Sequence, residues 1–388
     1  MSLPIITIIG GGFGGVYSAK QLLKKGFKVR LISQDEFFTF TPLLHEVATG
    51  TLHKNDVCFP IKSFLNNSNL EIICGSVREL DLATSSMVLQ NDSKLNYEYL
   101  IIATGARSQL NNFPTTANVL YLKNIFDAVA IKKRIREIIS KQNKININII
   151  GAGLTGVELA FELSHLLTKT IKRVSRINLF SRGELPLKKN DPKLANYIEQ
   201  LAKKVGITFY ENIEISSVTA STVFSPKRSF DSDLTIFTNG IIPNTELLPK
   251  NYKDNKGNLL VTSQLNLPNY PKVFALGDII NIIGQAKPAM LAQLAVQEAL
   301  VVAHNIERQV KNKTLVVYKS SLKGILFSLG SFRAAGRIFG LPISGLVAWY
   351  LWRTVYLFKT PGWHNRFRVM YRWTFYLFKK RYHLHRAD

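Results

Sequence analysis

The feature that most constrains this chain is a strand, a glycine cluster and a helix in immediate succession, occurring twice. Ile5-Ile6-Thr7-Ile8-Ile9 is a β-branched apolar run with the length of a buried parallel strand, and Gly10-Gly11-Gly12-Phe13-Gly14-Gly15 follows without a spacer. The pattern predicts a helix over Val16 to Lys25, closed by Gly26, and a second strand over Phe27 to Ile32. Later the order returns as Ile145 to Ile150, Gly151-Ala152-Gly153-Leu154-Thr155-Gly156, a helix from Val157 and a strand over Ile177 to Phe180. Two such units on one chain imply an α/β fold with two Rossmann-like dinucleotide-binding domains.

A single G-x-G-x-x-G also serves as an ordinary strand-to-helix corner. Two, each between a strand and a helix, give the setting in which backbone N–H groups and a helix N-terminus hold a pyrophosphate. Gly10, Gly12, Phe13, Gly14 and Gly15 form one candidate cradle, and Gly151, Gly153, Leu154, Thr155 and Gly156 the other. In such folds an acid at the end of the second strand usually grips the adenosine ribose. Here the first strand ends at Ser33, with Asp35 beyond it, and the second at Ser181-Arg182. A missing carboxylate removes repulsion towards a 2′-phosphate and Arg182 offers it a partner, so the second site could accept NADPH. The alternative, a surface Arg182 with Glu184 or backbone holding the ribose, is equally open.

With 388 residues the chain divides into two or three modules, and 46% hydrophobic against 20% charged residues excludes disorder. Two cysteines, Cys58 and Cys74, exclude a disulfide scaffold and a four-thiolate zinc site, and point to a reducing compartment; both are expected to be small buried hydrophobes. No metal site is expected. The formal charge of +24 draws the chain to polyanions, and composition does not choose between nucleic acid and an anionic membrane. The N-terminal residues lack a basic leader and run straight into a strand, so the body is expected in the cytoplasm. Lys132 to Lys144 reads as a solvated basic helix and loop.

From about Leu326 the chain turns aromatic and basic, with Asp388 its one acid and all four tryptophans within it. Pro342 to Phe358 is broken by Arg353 and falls short of the ~20 apolar residues of a spanning helix. Asn365 to Lys379 is amphipathic, with Phe367, Met370, Tyr371, Thr374, Leu377 and Phe378 on one side and Arg368, Arg372 and Lys379 on the other. This suits a helix in the headgroup plane of an anionic leaflet; helices packed on the protein or at a homodimer contact are the alternative.

The two glycine motifs, the Ala103-Thr104-Gly105 turn between them and Gly277-Asp278 after them resemble the two-dinucleotide-domain flavoproteins. That resemblance implies FAD on the first motif, NAD(P)H on the second, and Asp278 at the FAD ribityl and pyrophosphate. The stretch Thr39 to Gly50, where many of these proteins carry a redox cysteine pair, has none. Phe40-Thr41-Pro42-Leu43-Leu44 with Val47-Ala48-Thr49-Gly50, and Ala292-Gln293-Leu294-Ala295-Val296-Gln297, are similar to segments of type II NADH dehydrogenases, the non-pumping NADH:quinone oxidoreductases. The resemblance places Pro42, Leu43 and Lys323 beside the flavin, Gln293 and Gln297 at a quinone, and Glu158 near the nicotinamide. Gly330-Ser331 stands where that family usually has Gly-Arg after its lysine-glycine pair.

The resulting expectation is an FAD domain over 1–115 and 245–325, an NAD(P)H domain over 116–244 and a C-terminal membrane-surface module over 326–388. The implied reaction is hydride transfer from NADH or NADPH to FAD, then two-electron reduction of a quinone. The expected place is the cytoplasmic face of the membrane, as a peripheral protein with no nucleic-acid partner. The competing readings are a soluble reductase of ferredoxin or another acceptor, and a flavin-binding redox sensor.

Overall fold

The computed structural model describes residues 3–109, 118–170, 175–185, 188, 191–287, 289–322 and 324–378. The chain forms two compact units, one of Met1–Thr39, Phe59–Arg107 and Ile241–Leu322, the other of Phe40–Cys58, Ser108–Gly240 and Lys323–Asp388. Residues 40–58 and the C-terminal segment therefore cluster with the second unit, whereas the sequence pattern assigns them to the first domain and to a separate module.

The first unit is built on a six-stranded sheet in the order Asn266–Leu267, Tyr270–Ala275, Tyr99–Ile102, Ile5–Ile9, Lys28–Ser33, Leu70–Cys74. Ile5–Ile9 runs parallel to both neighbours, with Ile8 opposite Leu31 on one side and Ile101 on the other. A strand buried in the middle of a parallel sheet carries little polar alternation, which is why it reads as a continuous apolar run. The helices Phe13–Lys24 and Ala292–Val310 pack against each other in this unit.

The second unit repeats the plan with five parallel strands in the order Val119–Tyr121, Leu234–Phe237, Asn146–Ile150, Arg176–Phe180, Ile207–Tyr210. Phe180, Phe237, Val119 and Val223 anchor its core, each at most 1% exposed. Both motif helices start earlier than the sequence pattern predicts, at Phe13 and Leu154, because the last glycine of each motif already lies in the helix. The helix Ile125–Lys141 is capped by Asn124, whose side chain accepts from the Asp127 N–H. Lys132 on that helix is buried rather than solvated.

The C-terminal segment adds the antiparallel strands Gly324–Ser328, Ala334–Ile338 and Leu341–Ser344, then helices Gly345–Lys359 and Trp363–Phe378. The last helix is fastened by fully buried Asp56, which pairs with Arg368 at 2.7 Å and Arg372 at 2.6 Å. Val369, Trp373 and Tyr376 face inward, while Phe367, Met370, Tyr371 and Phe375 are exposed. The aromatic stripe visible in the sequence is thus an outward face, and arginines grip the protein. No helix among the described residues is long and apolar enough to cross a membrane. Neither Cys58 nor Cys74 forms a disulfide among the described residues; Cys58 is half-buried, and Cys74 is exposed rather than buried because it ends an edge strand.

Candidate functional site

Each unit carries one cradle, and the two are built alike. Gly10 has φ +115°, and a Cβ there would lie 2.2 Å from the Ala103 carbonyl oxygen. Gly15 packs so closely that its Cβ would fall 1.8 Å from the Gly10 carbonyl oxygen. Gly12 between them is exposed and faces open space. In the second unit Gly151 has φ +119° against Asn239, a Gly156 Cβ would fall 1.9 Å from the Gly151 carbonyl oxygen, and Gly153 again faces open space. The outer glycines close the strand-to-helix corner, and the middle one leaves a lane past the helix N-terminus. No acid occupies the first turn of either helix as its bounds run, so no side-chain carboxylate there competes with an anionic ligand for the helix dipole.

Around the first cradle, Gly14 meets Leu276, Phe13 stacks on Tyr17, and the Ser33 hydroxyl donates to the Asp35 carbonyl at 2.7 Å. The Ala103-Thr104-Gly105 turn is pinned by Asn244, whose side-chain amide donates to the Thr104 carbonyl at 3.0 Å. The Thr104 hydroxyl returns a bond to the Asn244 backbone carbonyl at 2.5 Å. Gly277 donates its N–H to the Glu298 carboxylate at 2.6 Å, fixing the turn that presents half-buried Asp278. Burial pushes Glu298 up to about 7. Nothing in the sequence pattern marks Glu298, because its partner is a backbone N–H that no spacing rule announces.

Gln293 and Gln297 lie on the helix Ala292–Val310 and are both half-buried. They differ in use. Gln297 donates to the Ser321 carbonyl at 2.7 Å and accepts the Ser321 N–H at 3.2 Å, so both ends of its amide are spent on one backbone segment. Gln293 makes no side-chain hydrogen bond among the described residues. Pro42 and Leu43 form a short 3-10 turn, with Leu43 buried. Lys323 lies outside the described residues.

At the second cradle Leu154 is half-buried and Thr155 exposed at the start of the helix. Ser181 is held by backbone bonds to Tyr210 and Ile213, while Arg182 and Glu184 are exposed. Glu158, one turn along the helix, points inward: it accepts the Ser328 N–H at 3.1 Å, and His45 Nδ1 stands 3.6 Å from its other oxygen, too far for a hydrogen bond. Glu162 accepts the Ser328 hydroxyl at 2.8 Å, and Glu46 accepts the Trp373 indole N–H at 2.7 Å. His45, Glu46 and Glu162 bring side-chain nitrogen and oxygen atoms within 4.8 Å of one another. Burial pushes Glu158 well above the carboxylate range and Glu46 up to about 8, and drives His45 down to about 3. Arg353 lies over the rings of Trp349 and Trp373, at 4.1 and 5.0 Å, and its charge faces both Glu46 and Glu162. Of this group the sequence pattern marks Glu158 alone for a role.

The profile described as pyridine nucleotide-disulphide oxidoreductase matches residues 5–299. Among curated proteins, the chain is similar to a type II NADH:quinone oxidoreductase of Mycobacterium tuberculosis, 25% identical over 95% of this chain and 87% of the relative. It is also similar to the demethylphylloquinone reductase of Synechocystis, 27% identical over 95% of both chains. Among solved structures, NDH2 from Plasmodium falciparum in complex with NADH superposes with a TM-score of 0.88 at 19% identity, over 98% of this chain and 99% of that one.

Proposed function

This chain belongs to the pyridine nucleotide-disulphide oxidoreductase family, and on that premise we propose that it is an FAD-dependent, non-pumping NAD(P)H:quinone oxidoreductase of the type II kind. The observation that carries the reading is the duplicated cradle, one per unit, each with its middle glycine open. FAD fits the first cradle, with Ser33 at the ribose end and Ala103 to Gly105 and Asp278 along the lane. NADH or NADPH fits the second, with Leu154, Thr155, Ser181 and Arg182 around its phosphates and ribose and Glu158 at the nicotinamide end. Bound there, FAD would supply an acceptor for the nicotinamide hydride and a two-electron donor for a quinone, whose two protons would come from water.

The protein's own contribution is placement, which hydride transfer needs more than acid or base groups. Gln293 is assigned to the quinone, because its amide makes no side-chain hydrogen bond among the described residues, whereas Gln297 positions the segment at Ser321. The testing assay compares NADH with NADPH on purified protein, with a soluble quinone or a dye as acceptor. Quinone-dependent turnover with bound FAD is the expected result, and a folded, colourless protein that takes up no FAD overturns the reading. Arg182→Ala should raise KM for NADPH by about tenfold and leave NADH nearly unchanged, the scale of one charge-assisted hydrogen bond. Equal effects on both nucleotides would mean that Arg182 faces solvent.

The C-terminal helices are assigned to the surface of an anionic membrane on its cytoplasmic face. Leu346, Val347, Tyr350, Phe367 and Tyr371 are each more than half exposed, and no acid lies on either helix. Deleting the helices would also remove buried Trp352 and Trp373, so the test replaces surface residues instead. Leu346, Val347, Phe367 and Tyr371 changed together to serine should weaken binding to vesicles of anionic lipid by at least about tenfold, since each apolar side chain withdrawn from water contributes about 1.5–3 kcal/mol. Unchanged vesicle binding, with concentration-dependent mass in solution, would assign the patch to a homodimer.

A further inference from the structure

Two buried acids join the C-terminal segment to the body of the second unit. Glu46, on the helix Leu44–Thr49, accepts the indole N–H of Trp373 on the last helix. Glu162, on the helix Leu154–Thr170, accepts the hydroxyl of Ser328 at the end of the strand Gly324–Ser328. Arg353, on the helix between them in the chain, faces both acids. Oxygens of the two carboxyl groups lie within 4.8 Å of each other, out of water. At that separation two buried carboxyl groups do not both ionise, whereas one shared proton leaves a single negative charge that one guanidinium offsets. Losing the proton leaves two buried charges beside one deeply buried cation, an imbalance that burial makes costly.

We infer that Glu46 and Glu162 share one proton and that this proton latches the C-terminal strands and helices onto the second unit. With the proton in place, Trp373, Ser328 and Arg353 are all held. When an O–H bond of the pair breaks, the proton passes to solvent water by way of the small cleft that Glu46, Glu162 and Arg353 line, with half-buried Ser331 and exposed Phe332 also bordering it. No other bond changes, and the helices loosen. An anionic surface at about −30 mV gathers protons roughly threefold over bulk, so a segment lying on such a surface would be the more firmly fastened. The latch itself rests on no membrane assignment.

The other ionisable groups facing the pair leave this balance in place. On the pair's own elements, His45 stays neutral, Glu158 is kept above the carboxylate range by burial, burial holds His165 neutral, and Lys169, less buried and further along the same helix, is a second cation that acts on Glu162 alone. Asp56 acts on Glu46 from the neighbouring short helix, and is itself paired with Arg368 and Arg372. Tyr356 and Tyr376 come from the two C-terminal helices, with burial holding Tyr356 in its neutral form. Arg333 reaches His165 from the loop between the strands.

The sign of the pH effect follows from burial, which raises both acids, Glu46 to about 8 from an ordinary 4.5. A group raised on folding contributes most below its unfolded value and loses that contribution as pH rises through its folded one. The test measures Tm by circular dichroism, and amide hydrogen exchange over residues 345–378, on the full chain and on Glu46→Gln and Glu162→Gln. Between about pH 6 and about pH 9 the wild-type Tm should fall by several degrees, and exchange over the two helices, corrected for its intrinsic pH dependence, should rise at least about tenfold. A glutamine still accepts a hydrogen bond but has no proton to lose, so each variant should flatten both profiles. Identical slopes in wild type and variants, or loosening spread evenly over the chain, would overturn the proposal. If the variants fail to fold, an infrared titration decides, run on Glu298→Gln so that this acid, itself raised to about 7, adds no band: a protonated-carboxyl C=O band that bleaches as pH rises through about 8 supports the shared proton, and its absence refutes it.

Discussion

Gly15→Ala is expected to yield a protein without bound flavin. Its new Cβ would fall 1.8 Å from the Gly10 carbonyl oxygen, far inside van der Waals contact, so strand and helix must separate. Gly10 cannot yield, because it is itself wedged against the Ala103 backbone at a φ of +115°. The informative companion is Gly12→Ala, which meets nothing within 4 Å and has an ordinary φ of −81°. That variant should fold, with the Tm of its flavin-free form unchanged, and still lose flavin affinity by about tenfold to a hundredfold, the effect of a methyl crowding a bound phosphate by about 1–3 kcal/mol. The ratio of flavin to protein absorbance checks both. Full flavin occupancy in the two variants would show that the lane past Gly12 is not the FAD path.

The second large effect is predicted for Gly156→Ala and Gly153→Ala, which repeat the experiment on the other unit. Gly156→Ala brings a Cβ to 1.9 Å from the Gly151 carbonyl oxygen, and Gly153→Ala meets nothing. Both should remain yellow, since the first cradle is untouched. Flavin reduction by NADH should fall by about a hundredfold or more for Gly156→Ala, and for Gly153→Ala the loss should appear mainly as a KM raised about tenfold or more. Loss of flavin from the Gly153 variant would sink the assignment of one nucleotide to each unit.

What the sequence disclosed and what it hid divide along chain distance. The cradles were legible because their requirements are local: a positive φ at Gly10, a close approach at Gly15 and an open lane at Gly12 are all met within six residues. The aromatic periodicity of the last helix was legible too, but its direction was not. Which side packs is decided by Asp56, far earlier in the chain, through its pairs with Arg368 and Arg372. The acid group was illegible for the same reason, since Glu46, Glu162, Ser328, Arg353 and Trp373 are joined only by tertiary packing. Glu298 and the capture of Gln297 by Ser321 are cases where a side chain serves a distant backbone atom, which residue types alone do not reveal.

The arrangement of indoles gives the protein a built-in optical reporter. All four tryptophans stand on the two C-terminal helices, and three of them, Trp349, Trp352 and Trp373, are at most 4% exposed. Trp363 is 68% exposed, at the start of the last helix. Indole fluorescence therefore arises from this segment alone, and its solvent-sensitive part from a single residue. Transfer of Trp363 into a lipid headgroup layer would shift that part to shorter wavelength, and a Trp363→Phe variant would isolate the emission of the three buried rings.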